Sequence, residues 1–313
     1  MKNNSWLLAV IFFLVLVATA TGIFYHTPEP RIEYVTVRGE QVTFQGSGLY
    51  RYDPAWFARE GIVWDVINLF IGLPLFAVAI HLSRRNSLRG RLLLGGLLFY
   101  FIYVYVMAMT GYAFNDLFLV YVAIFGLSAV AFFVNLHGID VARLPAQVSA
   151  RFPHRLFIGF TFGLSAVLIF LWLGRIIPIM VNDRFPFDMA GLTTPVSQGI
   201  DLGMVVPLML ATGILLWRRS SWGYLLAGIS LSYGLMMCMT LPAFIMVPLI
   251  QDGKTNMIEA SPLLVVSLMG FYMFGRYYRT VQENKARQSE ADQFSDADVH
   301  RGGVHPISEK HAS

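Results

Sequence analysis

The chain has 313 residues, of which 56% are hydrophobic and 13% are charged, and its formal net charge is +4 at pH 7. The mean hydropathy of +0.58 is too high for a soluble domain that must cover its core with polar surface. Because the basic residues lie in short loops between apolar runs, the positive charge indicates membrane topology and argues against nucleic-acid binding.

The apolar runs predict an all-α, polytopic transmembrane helix bundle in contact with the lipid bilayer. A spanning helix needs about 20 apolar residues. Eight runs meet this requirement, at residues 6–25, 61–82, 92–110, 117–136, 156–181, 200–217, 222–250 and 262–278. The chain therefore divides into a first span or signal anchor (1–25), an extracytoplasmic segment (26–60), a seven-span bundle (61–278) and a cytoplasmic, disordered tail (279–313).

The first run has two interpretations. Lys2, a short apolar stretch and the small residues around Ala18 and Ala20 are also typical of a secretory signal with a cleavage site. Apolar residues continue past that site to Phe24, which favours an uncleaved anchor and about eight spans. Cleavage would leave seven spans and would change nothing in the rest of the topology.

The segment at residues 26–60 is the longest external stretch. Its residues 32–44 mix β-branched and aromatic side chains, which predicts a small external β-hairpin. At the other end, the chain from residue 283 onward is polar and poor in aromatic residues, so it lacks the apolar area needed to fold.

Basic residues predict the orientation, because Lys and Arg collect on the cytoplasmic side of a membrane. The loops after the second, fourth and sixth runs hold nine of them: Arg84, Arg85, Arg89, Arg91, Arg143, Arg151, Arg155, Arg218 and Arg219. The short loops on the opposite side hold Arg184 and Lys254. Both termini are therefore expected in the cytoplasm.

Two parts of the sequence show a similar order of features. Asp65 and Asp201 each begin a span that ends in a double arginine and is followed by a Gly-x-Leu-Leu-x-Gly opening of the next span. This pattern favours two four-helix halves in parallel orientation. The alternative is that double arginines mark any cytoplasmic loop and that glycine is common in membrane helices.

The candidate site comprises Asp65, Asn68, Asp116, Arg175 and Asp201. An arginine at the centre of a membrane helix costs about 2.5–3.5 kcal/mol on insertion scales, so Arg175 is expected to snorkel or to pair with an acid. We expect it to meet Asp201, with Asp65 and Asn68 facing the same cleft.

An acidic outer side would attract a cationic or amine-bearing small ligand. The alternative for the three acids is structural, because Asp65, Asp116 and Asp201 each lie near the predicted outer start of a span, where helix N-caps belong.

Two further patterns concern the membrane interior. Prolines at positions 74, 178, 207, 242 and 248 predict kinked or broken helices in the outer half of the bilayer. The third run carries Tyr100, Tyr103 and Tyr105, whose hydroxyls need partners at that depth and allow an inward-facing polar strip.

The sequence NDLFLVYV at residues 115–122, with TPV at 194–196 and LWRR at 216–219, resembles a group of uncharacterised bacterial multi-span proteins. The similarity covers most of residues 61–278, and that group often has proline where this chain has Asp116. The resemblance implies the architecture and a location in a bacterial cytoplasmic (inner) membrane, and it brings no activity, ligand or catalytic residue.

Two functions of different classes remain open from the sequence. The first is a small-molecule transporter or permease-like ligand-binding protein with an outward-facing acidic site. The second is a non-transporting membrane sensor or assembly partner that acts through residues 26–60. No HExxH, CxxC or phosphate-loop motif occurs, so no metal or cofactor is expected. A membrane enzyme with its site at the outer face ranks third, and the oligomeric state is left open.

Overall fold

The computed structural model describes residues 5–36, 39–148, 152–182, 191–252 and 257–282. The expected tail from residue 283 onward lies outside these residues. The elements in chain order are α1 (Ser5–Phe24), β1 (Ile32–Val35), β2 (Gln41–Phe44), α2 (Ala55–Ile67), a π-helical turn (Asn68–Gly72), α3 (Leu73–Arg84), α4 (Leu88–Gly111), α5 (Phe118–His137), a 3-10 turn (Val141–Arg143), α6 (Leu144–Gln147), α7 (His154–Asn182), α8 (Val196–Ile200), a second π-helical turn (Asp201–Val205), α9 (Val206–Trp217), α10 (Ser221–Asp252) and α11 (Met257–Thr280).

Within the described residues, seven helical stretches are long and apolar enough to cross a membrane. They are Ser5–Phe24, Ala55–Arg84, Leu88–Gly111, Phe118–His137, His154–Pro178, Val196–Trp217 and Ser221–Val247, and they correspond to the first seven predicted runs. The helical class is therefore confirmed, and seven of the predicted runs form helices that are able to span a membrane. The eighth predicted run lies within α11, which is not among the seven, so the count of eight spans stays a prediction.

The predicted hairpin is present as a small antiparallel sheet. Its register pairs Ile32 with Phe44 and Val35 with Gln41, and Gly39 in the connecting turn has a φ of +80°, which glycine adopts without steric cost. The sheet leads into the loop that precedes α2.

The N-cap interpretation of two acids is wrong. The helix that contains Asp65 begins at Ala55, with Pro54 at its N-cap, so Asp65 lies almost three turns inside it. The helix that contains Asp201 begins at Val196. In both cases polar residues before the apolar run extend the helix, because the outer end of a membrane helix projects into the polar interface. Asp116, in contrast, precedes α5 and follows Asn115, whose side-chain oxygen accepts the Leu117 backbone N–H at 3.0 Å.

Each of the two π-helical turns precedes a proline, Pro74 or Pro207. Proline has no N–H to donate to the carbonyl four residues earlier. In the first turn the Leu73 N–H donates to the Asn68 carbonyl, and in the second the Val206 N–H donates to the Asp201 carbonyl. These wider turns are the helix breaks that the prolines predict.

The chain after each break follows the same path. The turns that end α3 and α9 place Asn86 (φ 57°) and Arg219 (φ 53°) in the left-handed region. The next residue donates its N–H back across the turn, from Ser87 to the Leu82 carbonyl at 3.2 Å and from Ser220 to the Leu215 carbonyl at 2.9 Å.

Glycines complete the match between these two stretches. A Cβ on Gly90 or on Gly223 would lie within 2.6 Å of the preceding helix backbone. Pro207 follows Pro74 by 133 residues, and the same spacing relates Gly223 to Gly90. At this spacing Asp201 corresponds to Asn68. The order of features in the sequence had instead paired Asp201 with Asp65.

Helices α4 and α10 form the centre of the bundle. A Cβ on Gly96 of α4 would lie 2.2 Å from the Ser232 Cβ of α10 and 2.7 Å from the Ile229 carbonyl oxygen, so the two backbones touch at this point. Tyr100, Tyr103 and Tyr105 of α4 are all buried. The tyrosines of the third run therefore point into the bundle.

Candidate functional site

Asp201 is a buried carboxylate at the start of the second π-helical turn. One oxygen, Oδ1, accepts the Tyr103 hydroxyl of α4 at 2.9 Å, and the other, Oδ2, accepts the Trp172 Nε1–H of α7 at 2.9 Å. Both donors are neutral. The carboxylate therefore links three helices through hydrogen bonds that leave its charge to be balanced by a proton or a cation.

Arg175 lies one turn beyond Trp172 on α7. Its guanidinium carbon is 5.7 Å from the centroid of the Trp172 ring, which is within the range of a cation–π contact. Trp172 therefore links Arg175 to Asp201 in the structure, since both residues contact its side chain. The indole orients the acid with its N–H and receives the guanidinium on its face.

Asp65 is buried in a second polar cluster. Its Oδ2 accepts the Tyr50 hydroxyl at 2.6 Å, and Tyr50 is supplied by the loop between the hairpin and α2. A Cβ on Gly22 of α1 would lie 1.8 Å from the same oxygen. Glycine at this position therefore lets the carboxylate rest directly on the backbone of α1.

Aromatic residues cover this cluster on the hairpin side. Tyr50 packs edge-on against Tyr112, with ring centroids 4.9 Å apart, and Tyr112 lies 5.0 Å from Phe57. A Cβ on Gly61 would already lie 3.0 Å from the Tyr50 ring. The loop tyrosine thus closes the path from the hairpin side to Asp65.

Asn68 opens the first π-helical turn and is 1% exposed. Among the described residues its side-chain oxygen has no hydrogen-bond partner. A Cβ on the neighbouring Gly72 would lie 3.2 Å from that oxygen and 3.4 Å from the Met236 Cε. An unsatisfied buried amide oxygen costs about 1–3 kcal/mol, and this is the type of group that a bound cation or solute satisfies.

Asp116 lies apart from the interior acids. Its side chain is 68% exposed and is 3.4 Å from the Arg51 guanidinium in a surface ion pair. The nearby Asp53, which the sequence did not single out, is buried outside the spans and accepts the Ala113 backbone N–H at 2.8 Å. Burial raises the pKa of Asp53 to about 7, against the lowering effect of that hydrogen bond.

Aromatic rings lie between the two interior acids. Trp64, next to Asp65, has its ring 5.9 Å from Tyr100 and 6.3 Å from Tyr103, and Tyr103 lies 5.5 Å from Tyr233. Cavities of about 280 and 220 Å³ are found elsewhere, at the hairpin side, and neither is lined by Asp65 or Asp201.

Comparison with protein-family models, with curated proteins and with solved structures gave no match. The chemistry of the site therefore has to be inferred from its own residues. Two buried carboxylates, each held by a tyrosine hydroxyl at or near a helix break, form polar positions where a proton or a small cation can be bound and released.

The sequence indicated the acids, but it did not indicate which residues donate hydrogen bonds to them. Tyr103 was visible as part of an aromatic run, whereas Trp172 and Tyr50 carried no pattern that joins them to an acid. Both contacts depend on how α4, α7 and the loop before α2 pack. Gly22, at the end of the small-residue stretch 18–22 of the first run, was the one local signal of a close approach.

Proposed function

We propose that the protein is a small-molecule transporter or permease-like protein of the membrane, in which Asp65 and Asp201 bind a coupling proton or cation. The observation that carries the proposal is the burial of these acids within spanning helices beside two π-helical turns. Intramembrane acids are costly to keep and mark ion or substrate pathways. Turns of this kind occur frequently at functional sites.

The ligand class that fits Asp201 is a cation or an amine-bearing solute. An acid next to aromatic faces binds ammonium and guanidinium groups through charge and cation–π attraction. Arg175 already places such a group over Trp172, which is an internal example of the interaction. Movement of α7 relative to the second π-helical turn would exchange this internal cation for a ligand.

The proposed topology has eight spans arranged as two parallel halves. The equal spacing of 133 residues between the two helix breaks and between their glycines supports the repeat, and α11 would be the eighth span. The burial of Leu7, Ile11 and Val15 in the core supports an α1 that is retained. The basic loops support cytoplasmic termini in a bacterial inner membrane.

A second candidate is a sensor or assembly partner that acts through the hairpin. Strand β1 has a free edge and carries three apolar side chains that are more than half exposed, those of Ile32, Tyr34 and Val35. Exposed apolar side chains on an edge strand are typical of a docking surface. This candidate needs no movement in the membrane interior, which separates it from transport.

The test is uptake into proteoliposomes of a panel of amine-bearing solutes, under imposed proton and sodium gradients. We expect at least one solute to accumulate, and Asp201→Asn to lower its rate by about tenfold or more because the coupling charge is lost. The matched control is Asp140→Asn, which removes an exposed acid 3.0 Å from Arg143 and should leave the rate unchanged. Folded protein that moves no solute, or an Asp201→Asn variant with the full rate, would contradict the proposal.

A further inference from the structure

A half-open groove of about 280 Å³ lies between α2 and α10 on the hairpin side, away from both interior acids. Its two ends differ in chemistry. The upper rim is polar and is formed by Arg31, Gln45 and Arg59. The wall below is aliphatic and includes Ile62, Val66, Ala243 and Val247.

The depth of the groove follows from helix geometry. Ile62 lies 22 residues before Arg84, the end of α3, and Ala243 lies 22 residues after Ser221, the start of α10. At about 1.5 Å per residue both lie about 33 Å from the opposite ends of their helices. The hydrocarbon layer is about 30 Å thick. The aliphatic wall therefore begins at the edge of the hydrocarbon, and the two arginines lie at the level of the lipid phosphates.

The position of Arg31 at the rim is fixed by the backbone. A Cβ on Gly46 would lie 2.0 Å from the Pro30 carbonyl oxygen, and Gly46 itself has a φ of +76°. The segment just before β1, which carries Arg31, therefore packs directly on the loop that carries Gln45. Val66 is 39% exposed, and Phe70, one turn deeper on the same side of the helix, is 64% exposed, so the groove continues into a face that is open to lipid.

We propose that this groove binds one membrane phospholipid with an anionic headgroup, whose phosphate is held by Arg31 and Arg59 and whose acyl chain lies along the α2–α10 wall. Charge complementarity identifies the headgroup, because two guanidinium groups match a phosphate and form charge-assisted hydrogen bonds with it. The aliphatic wall identifies the chain. Neither free phosphate nor an uncharged lipid uses both parts of the groove. The site is independent of transport, since it contains neither Asp65 nor Asp201.

The experiment measures binding to the full chain in a neutral detergent by native mass spectrometry. The probes are phosphatidylglycerol, a diacylglycerol with the same acyl chains, and inorganic phosphate. We expect phosphatidylglycerol to bind about tenfold more tightly than the diacylglycerol. The double substitution Arg31→Gln with Arg59→Gln should remove that difference, while Arg51→Gln, a control for charge on the same side, should preserve it.

A second variant tests the acyl part of the site without touching the arginines. Ala243→Phe fills the groove and should weaken phosphatidylglycerol by about tenfold, whereas Val78→Phe, at a lipid-exposed position outside it, should have no effect. If the double arginine variant fails to fold, Ala243→Phe decides the outcome. Equal binding of the two lipids, unaltered binding in Ala243→Phe, or displacement of the lipid by equimolar inorganic phosphate would overturn the proposal.

Discussion

The contact between Gly22 and Asp65 gives a quantitative prediction. In a Gly22→Ala variant the new methyl group would lie 1.8 Å from the Asp65 Oδ2, so the carboxylate must move and its 2.6 Å bond from Tyr50 is lost. Overpacking costs about 1–3 kcal/mol, and a hydrogen bond to a charged group contributes about 1.5–3 kcal/mol. Alanine recovers about 1 kcal/mol in a helix interior. We expect a net loss of about 1.5–5 kcal/mol.

The assay is the free energy of unfolding in mixed detergent–SDS micelles. The control is Gly126→Ala in α5, where a Cβ would meet nothing within 4 Å, and which should be neutral or slightly stabilising. In an Asp65→Ala background the obstructing carboxylate is absent, so Gly22→Ala should cost little there. An equal cost of Gly22→Ala in both backgrounds, or a cost no greater than that of Gly126→Ala, would refute the contact and with it the packing of α1 on α2.

Three further outcomes are expected. Burial raises the pKa of Asp53 from 3.8 to about 7, so the stabilising contribution of this group is fully present below the unfolded pKa and is lost as pH rises through about 7. The loss is on the order of 4 kcal/mol. The unfolding midpoint should lose this pH dependence in Asp53→Asn, and a wild-type pH dependence in that variant would contradict the assignment. Gly270→Ala places a Cβ 2.2 Å from the Cys238 Sγ and should lower stability by about 1–3 kcal/mol, with Cys238→Ala restoring it; no restoration would contradict the α10–α11 packing. Mass spectrometry of protein extracted from membranes should find residues 1–20 present, whereas their loss would identify a cleaved signal.

The helices of the bundle were predictable because the hydropathy of a segment is a local property of the sequence. Each of the seven membrane-length helices overlaps a predicted run, and the β-branched stretch before the second run forms the hairpin. The helix starts were less predictable. A membrane helix can extend through polar residues such as Arg59 before its apolar part begins. The sequence therefore predicted Asp65 at a helix start, whereas the structure places it inside the helix.

The site was predictable as a set of acids but not as a geometry. The sequence selected Asp65 and Asp201 as acids at the starts of apolar runs, together with Asp116, which the structure places in a surface ion pair with Arg51. Their partners come from distant segments, since Tyr103 is 98 positions from Asp201 along the chain. The aromatic packing that separates the two acids depends on the approach of α4 and α10 at Gly96, which no local pattern specifies.

Transport through Asp201 requires that water reach this residue from alternate sides of the membrane. It is tested most directly by the reaction of single cysteines with a membrane-impermeant thiol reagent, in a Cys238→Ala background and at acidic and alkaline pH. Ser197→Cys lies about 6 Å before Asp201 along the helix and Thr212→Cys about 16 Å beyond it, while Ile214→Cys, at a lipid-exposed position, serves as the unreactive control.

We expect Ser197→Cys to react from the hairpin side in one condition and Thr212→Cys to react from the opposite side in the other. A folded protein in which neither cysteine reacts from either side in any condition would be a sealed bundle and would contradict transport.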